Sequence, residues 1–162
     1  MKKVILACIL LAAALSLAAC TQGGSSPDDQ PGTSAVQSGG ENEGEGVVGG
    51  CRIKIVSAEK GEDFVGDPVA IITYEWTNNG SEDKSFSDIF VSKAYQNGVK
   101  CTSYNVVDGV DSSKLQAEIK PGATLQVQEA YSISDESDVT VEVGPWIRFD
   151  DGAVVTKTFS LS

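Results

Sequence analysis

Apolar and polar residues alternate along the chain in short segments that turn residues separate. The clearest segment is residues 69–80, where Ala70, Ile72, Tyr74 and Trp76 fall on one face and polar residues on the other. Because successive side chains of a strand point to opposite faces, this pattern predicts a strand with one buried face. A Tyr and a Trp on that face supply a large apolar surface, so we expect this strand to be the centre of the core.

Similar segments recur over residues 51–162, and no segment shows a sustained 3.6-residue apolar period. Asn97-Gly98 and the Asp-Gly pair at residues 151–152 predict tight hairpins. The pattern predicts an all-β fold, an immunoglobulin-like β-sandwich of seven to eight mostly antiparallel strands. Glu129 interrupts the apolar face of one segment, and we expect a β-bulge there.

The first 19 residues have the pattern of an export signal. A basic start at residues 1–3 precedes an apolar segment at residues 4–15, which is too short for a comfortable membrane span. Residues 17–20, Leu-Ala-Ala-Cys, resemble the lipobox of bacterial lipoproteins, in which the Cys is diacylated and the signal is cut just before it. We therefore expect a lipid anchor at Cys20 that holds the protein on the cell membrane, facing outside the cytoplasm. An ordinary signal peptide cut after Ala19 is the alternative.

Residues 20–50 follow as a polar segment. They are rich in Gly, Ser and acidic residues and contain no aromatic residue, Lys or Arg. Such a segment buries too little apolar surface to offset the entropy of ordering it, which predicts a disordered linker after the lipidated Cys20. One folded domain is then expected over residues 51–162, a common single-domain size.

Charge and composition exclude several classes of function. The chain has 23 Asp and Glu against 12 Lys and Arg, a net charge of −11, which argues against nucleic acid as a partner. It contains no His, which removes Ser-His-Asp and Cys-His catalysis and imidazole zinc sites. We expect no enzyme activity, no catalytic residues and no cofactor.

Acidic loops suggest calcium, because hard oxygen ligands suit that ion. They contain Asp108 with Asp111, the residues 135–138, and Asp150 with Asp151. No stretch matches an EF-hand loop, and short acidic turns are typical of hairpin ends. We therefore expect solvated turns and no metal site.

Cys51 and Cys101 are the remaining cysteines of the exported chain. Two such residues outside the cytoplasm more often pair than stay free, which predicts a disulfide between them. Two unpaired buried thiols and a redox pair are the alternatives, although the redox interpretation lacks a Cys-X-X-Cys spacing.

A second Trp lies in residues 144–149, Gly-Pro-Trp-Ile-Arg-Phe. A Pro within a strand indicates a sheet edge or a bulge. An edge that carries Trp146, Arg148 and Phe149 is suited to a protein or cell-wall glycan partner, through strand addition or stacking. The alternative is that Trp146 or Ile147 caps the sandwich core.

Four short motifs occur in a characteristic order: residues 74–79 (Tyr-Glu-Trp-Thr-Asn-Asn), 95–99 (Tyr-Gln-Asn-Gly-Val), 119–123 (Ile-Lys-Pro-Gly-Ala) and 130–131 (Ala-Tyr). This set resembles a domain-of-unknown-function family of Gram-positive lipoproteins, family five-zero-six-seven, which is similar to the telokin-like, immunoglobulin-related domains of secreted bacterial lipoproteins. The resemblance covers about residues 53–145. It implies the fold and the location, and it carries no catalytic residues.

The sequence therefore predicts a membrane-anchored extracytoplasmic lipoprotein whose single domain is a non-catalytic binding or interaction module. The alternative is a structural spacer, or an envelope-associated domain, with no dedicated ligand. A binding module should keep an exposed apolar or aromatic patch that a spacer does not need.

Overall fold

The computed structural model describes residues 43–104, 106–147 and 152–162. The expected signal segment, Cys20 and most of the expected linker lie outside these ranges. The described residues form nine strands, one turn of α-helix and one 3₁₀ helix: β1 Glu45–Val48, β2 Cys51–Glu62, β3 Pro68–Thr77, α1 Phe86–Ile89, β4 Phe90–Gln96, β5 Val99–Lys100, β6 Ser103–Tyr104, the 3₁₀ helix Ser112–Gln116, β7 Thr124–Ser132, β8 Val139–Pro145 and β9 Val155–Phe159.

The strands form two antiparallel sheets that pack as a sandwich. One sheet has the order β1-β2-β3-β7-β6 and the other has the order β5-β4-β8-β9. Without β1, these orders correspond to the A-B-E-D and C′-C-F-G sheets of an immunoglobulin fold. The expected all-β, immunoglobulin-like sandwich is therefore confirmed. Seven of the strands span four residues or more, whereas β5 and β6 span two each.

Strand β3 is the centre of the first sheet, between β2 and β7. Ala70, Ile72, Tyr74 and Trp76 are each 0% exposed, as the alternation predicts. The Trp76 ring meets Phe90 of the opposite sheet edge-to-face, with ring centroids 5.8 Å apart. This contact joins the two sheets through two large buried side chains.

A helical turn, α1, directly precedes strand β4. Ser85 caps α1, because its backbone N–H donates to Asp88 at 3.2 Å and its hydroxyl donates to the same carboxylate at 2.6 Å. The turn brings the ring centroids of Phe86 and Phe90 to 5.0 Å from each other, and both side chains are buried. The sequence pattern alone does not reveal this turn, because its two aromatic residues are as compatible with a strand.

The boundary expected between linker and domain, at residue 50, is wrong. Strand β1 lies within the expected linker and pairs antiparallel with the first part of β2. Val48 is only 1% exposed and belongs to the core, and Gly49 and Gly50 form the β1–β2 turn with positive φ values of 58° and 78°. The Gly-rich composition hides the strand, because four residues that contain two valines give a weak periodic signal.

The bulge expected at Glu129 is also misplaced, because β7 pairs with β3 without a shift in register. The irregularity lies in β2, between Ile55 and Ser57. There the ammonium group of Lys157 on β9 donates to the carbonyl oxygens of Ile55 and Val56, at 3.0 and 3.2 Å. The bulge therefore provides acceptors that bind the two sheets together along one side of the sandwich.

The predicted disulfide is wrong, because Cys51 and Cys101 are both free and buried. Cys51 begins β2. The next residue, Arg52, pairs with Thr77 of β3, which pairs in turn with Thr124 at the start of β7. Cys101 lies beside Ser132, the last residue of β7, whose N–H donates to the carbonyl of Thr102 at 2.8 Å. The two cysteines therefore lie near opposite ends of β7, a strand about 25 Å long at about 3.4 Å per residue. A disulfide requires α-carbons closer than about 7 Å.

Candidate functional site

The backbone at the end of β8 projects Trp146 away from the sandwich. Pro145 is the last residue of β8 and pairs with Phe90 of β4. The next N–H, that of Trp146, donates to the carbonyl oxygen of Ile89 at 2.8 Å. The Trp146 side chain is 64% exposed and that of Ile147 is 59% exposed. Neither side chain caps the core, so that alternative is wrong.

Trp146 and Ile147 line a groove of about 370 Å³ between three connections of the chain. Gly49 lies in the β1–β2 turn, where a Cβ would come within 2.8 Å of the Ile89 side chain, so the turn approaches the groove floor closely. The remaining lining residues come from the β3–β4 connection and from the end of β8: Asp83, Lys84, Asp88, Ile89 and Pro145. The groove combines an apolar floor with a charged rim, which is typical of ligand sites.

The two carboxylates of the rim are held in place by neighbouring groups. Asp83 accepts from the ammonium group of Lys120 at 2.7 Å, which raises the pKa of Lys120. Asp88 accepts from Ser85, as described for the cap of α1. Lys84 lies among the described lining residues and Lys120 is bonded to Asp83, so two ammonium groups accompany the two carboxylates of the described rim.

Asn78 fixes the connection that supplies the rim. It is 0% exposed, and its amide nitrogen donates to the carbonyl oxygens of Glu82 at 2.8 Å and Ile119 at 2.9 Å. Its amide oxygen accepts from the N–H of Gly80 at 3.0 Å. The sequence indicates only a turn at this point. Asn78 occupies the next position on the alternating apolar face that ends at Trp76, and this position is the sequence signal for a buried amide.

Of the three residues in the predicted contact edge, the structure places only Trp146. Arg148 and Phe149 lie outside the described residues, as does the predicted lipidation site Cys20. The groove adds Ile89 and Asp88, which the sequence pattern did not single out because they come from a distant connection.

A second exposed apolar feature is the β2–β3 hairpin tip, at the opposite end of the sandwich. Phe64 is 75% exposed and Val65 is 66% exposed. The carboxylate of Asp63 accepts from the N–H groups of Val65 and Asp67, each at 2.9 Å. The tip is therefore a well-defined turn and provides an exposed aromatic residue for comparison with Trp146.

Glu129 is the carboxylate that points between the sheets. It accepts hydrogen bonds from the hydroxyl groups of Tyr131, at 2.9 Å, and Ser92 on the opposite sheet. Burial, followed by the charge of Glu129, raises the pKa of Tyr131. Because these hydroxyls satisfy the carboxylate inside the fold, the group is a structural link between the sheets.

The described parts of the acidic loops use their carboxylates to hold turns. Asp111 accepts from the hydroxyl and the N–H of Ser113, which lowers the pKa of Asp111. Asp135 accepts from the N–H of Ser137 at 2.8 Å, and bonds to Ser137 lower the pKa of Asp135. No group of three or more Cys, Asp or Glu in the described ranges is arranged to hold a metal ion. The expected absence of a metal site stays a prediction.

A family model described as "Domain of unknown function (DUF5067)" matches residues 27–145. A search of curated proteins finds no match. Within the described residues, no helix is long and apolar enough to span a membrane.

Three solved structures are similar in fold. A protein of Bacillus subtilis assigned as a lipoprotein is 16% identical, with a TM-score of 0.57 over 74% of this chain and 39% of its own. A Staphylococcus aureus protein with the same assignment is 17% identical, with a TM-score of 0.53 over 68% of this chain and 83% of its own. A protein of Enterococcus faecalis is 18% identical, with a TM-score of 0.52 over 75% of this chain and 92% of its own. This chain thus spans well under half of the Bacillus protein, and these likenesses show the fold.

Proposed function

Since the chain belongs to the family described as Domain of unknown function (DUF5067), we propose that it is a lipid-anchored extracytoplasmic protein whose sandwich is a non-catalytic binding module. Its solved neighbours from Bacillus and Staphylococcus are assigned as lipoproteins, which supports this location. The lipobox-like residues 17–20 supply the anchor at Cys20. The ligand, a protein or a cell-wall glycan, is contacted at the Trp146 groove.

The observation that carries the proposal is the exposure of Trp146 beside a structured rim. Large aromatic residues contribute to stability when they are buried, and an exposed Trp on an ordered backbone contributes little to folding. Exposed aromatic residues are also enriched where proteins bind partners. A spacer domain without a ligand has no use for this arrangement, so the binding module is favoured over the spacer.

The anchor is tested by changing Cys20→Ala in the full chain and separating membranes from the medium. The protein should leave the membrane fraction, because no acyl chain is then attached. Cys8→Ala is the matched control, since it removes the same side chain from within the signal and should leave the protein on the membrane. Retention of the Cys20 variant on membranes would contradict the anchor.

The binding role is tested by placing a photo-crosslinking amino acid at Ile147 of the full chain in intact cells. We expect a discrete adduct, either with a protein or with a glycan that a cell-wall hydrolase removes. The same crosslinker at Phe64, which is similarly exposed at the other end of the sandwich, is the control. No specific adduct from Ile147, or identical adducts from both sites, would contradict the binding module and favour the spacer.

A further inference from the structure

We propose that the ligand of the Trp146 groove is an uncharged glycan whose sugar rings stack on the indole and hydrogen-bond to the rim carboxylates. This inference rests on the proposed binding function and names the class of ligand for that site.

The backbone at the groove is unsuited to strand addition. Pro145 has no N–H group, and the N–H of Trp146 is already donated to Ile89. A peptide that adds to a sheet edge needs a run of free main-chain donors and acceptors. The groove therefore recognises its ligand through side chains, which leaves stacking as the mode of contact.

The exposed side chains suit a ligand that is apolar on its faces and polar at its edges. The rings of Trp146 and Pro145 and the side chain of Ile147 provide the apolar surface. Asp83 and Asp88 provide carboxylate oxygens that accept hydrogen bonds from hydroxyl or amide groups. A pyranose ring has this division, with C–H groups on its faces and hydroxyl groups around its edge.

The charge of the protein favours an uncharged glycan over a polyanionic one. In the described residues, the ammonium groups of Lys84 and Lys120 balance the two carboxylates of the rim, and the whole chain has a net charge of −11. A polyanionic polymer finds no excess of positive charge in this groove and is repelled by the acidic protein as a whole, whereas an uncharged sugar is not. The volume of about 370 Å³ lies at the low end of the range for small-ligand sites, so a short saccharide segment fits better than a folded protein partner.

The test is co-sedimentation of the full chain with insoluble chitin, an uncharged polymer of N-acetylglucosamine, in a detergent that carries no sugar headgroup. The protein should sediment with chitin, and soluble chitin oligosaccharides should compete. Hyaluronate, which contains the same sugar but one carboxylate in each disaccharide, should not compete. Trp146→Ala should weaken binding at least about tenfold, as truncation of an aromatic anchor usually does.

Two further variants keep the test specific. Trp146→Tyr should retain most of the binding, because a phenol ring also stacks, and Phe64→Ala should bind as the native protein does. Circular dichroism and thermal melting check that each variant is folded. Failure of the folded native protein to bind chitin, or binding that Trp146→Ala leaves unchanged, would overturn the glycan inference. A protein adduct from Ile147 in cells would then leave the binding module standing with another ligand, whereas no adduct would remove both.

Discussion

Individual buried polar groups determine how the two sheets and the loops of this domain are held. Tyr74 and Tyr131 lie in the core and join the hydroxyl–carboxylate group around Glu129. Burial raises the pKa of Tyr74 well above its ordinary value, and the charges of Tyr131 and Glu129 raise it further. Both tyrosines are therefore strongly favoured in the protonated form while the domain is folded.

This gives a prediction for alkaline pH. A Tyr whose pKa is raised by folding contributes stability that is fully present below its unfolded pKa of about 10 and is lost as pH rises towards the folded value. The free energy of unfolding, measured in urea, should therefore fall above about pH 10. For the Tyr74→Phe variant it should fall less steeply with pH. Tyr absorbance at alkaline pH should change together with the loss of near-ultraviolet circular dichroism. Complete ionisation of all tyrosines in a folded domain would contradict this.

A second residue-scale prediction concerns Asn78. Asn78→Ala removes three hydrogen bonds, to the carbonyls of Glu82 and Ile119 and from the N–H of Gly80. The carbonyl of Ile119 still accepts from the N–H of Lys84 at 3.2 Å. We expect a loss of about 3 kcal/mol in the free energy of unfolding. Asn79→Ala is the matched control, because Asn79 is exposed and should change stability by less than about 0.5 kcal/mol. Equal effects from the two variants would show that Asn78 does not support the loop.

Among the elements, β3 was predictable and β1 was not, for a physical reason. The alternating face of β3 contains four large or well-packed residues in a row and gives an unambiguous period of two. Strand β1 is short and Gly-containing, and it forms because β2 offers a free edge and the core accepts Val48. Such pairing depends on tertiary contacts that no local pattern contains.

The two adjacent valines of β1 test whether this strand belongs to the folded domain. Val48→Ala removes a fully buried side chain from the core and should lower the free energy of unfolding by about 2 kcal/mol. Val47→Ala, at a position 57% exposed, should change it by less than about 0.5 kcal/mol. The free energy of unfolding of both variants is measured in urea. Two equally small effects would return this segment to the linker.

For the whole molecule, the pattern of short strands and turns was enough to predict the sandwich, because that arrangement suits many half-buried strands in a chain of this length. The pattern did not predict which residues meet at each end. The disulfide between Cys51 and Cys101 was predicted only from the expected location outside the cytoplasm. The topology places the two residues at opposite ends of β7. The groove is likewise invisible in sequence, since Ile89 and Trp146 are far apart along the chain.

Thiol titration tests this arrangement of the whole molecule. In the proposed processing, Cys8 is removed with the signal and the sulfur of Cys20 carries lipid. The mature chain should then show two reactive thiols, those of Cys51 and Cys101, when it is unfolded without a reductant. The reaction should be slow in the folded protein, in which Cys51 is 0% and Cys101 is 9% exposed and burial raises the pKa of the Cys101 thiol. Absence of reactive thiols in the unfolded chain would show that the two residues are bonded.

Acrylamide quenching of tryptophan fluorescence shows whether the Trp146 face contacts a ligand in the cell envelope. The chain contains two tryptophans, and Trp76 is 0% exposed, so quenching of the folded protein reports on Trp146. We expect saturating amounts of isolated cell envelope to reduce the quenching of the full chain, because a bound ligand covers the indole. Quenching that is unchanged by the envelope, with the protein folded throughout, would contradict the claim and favour a spacer domain with no dedicated ligand.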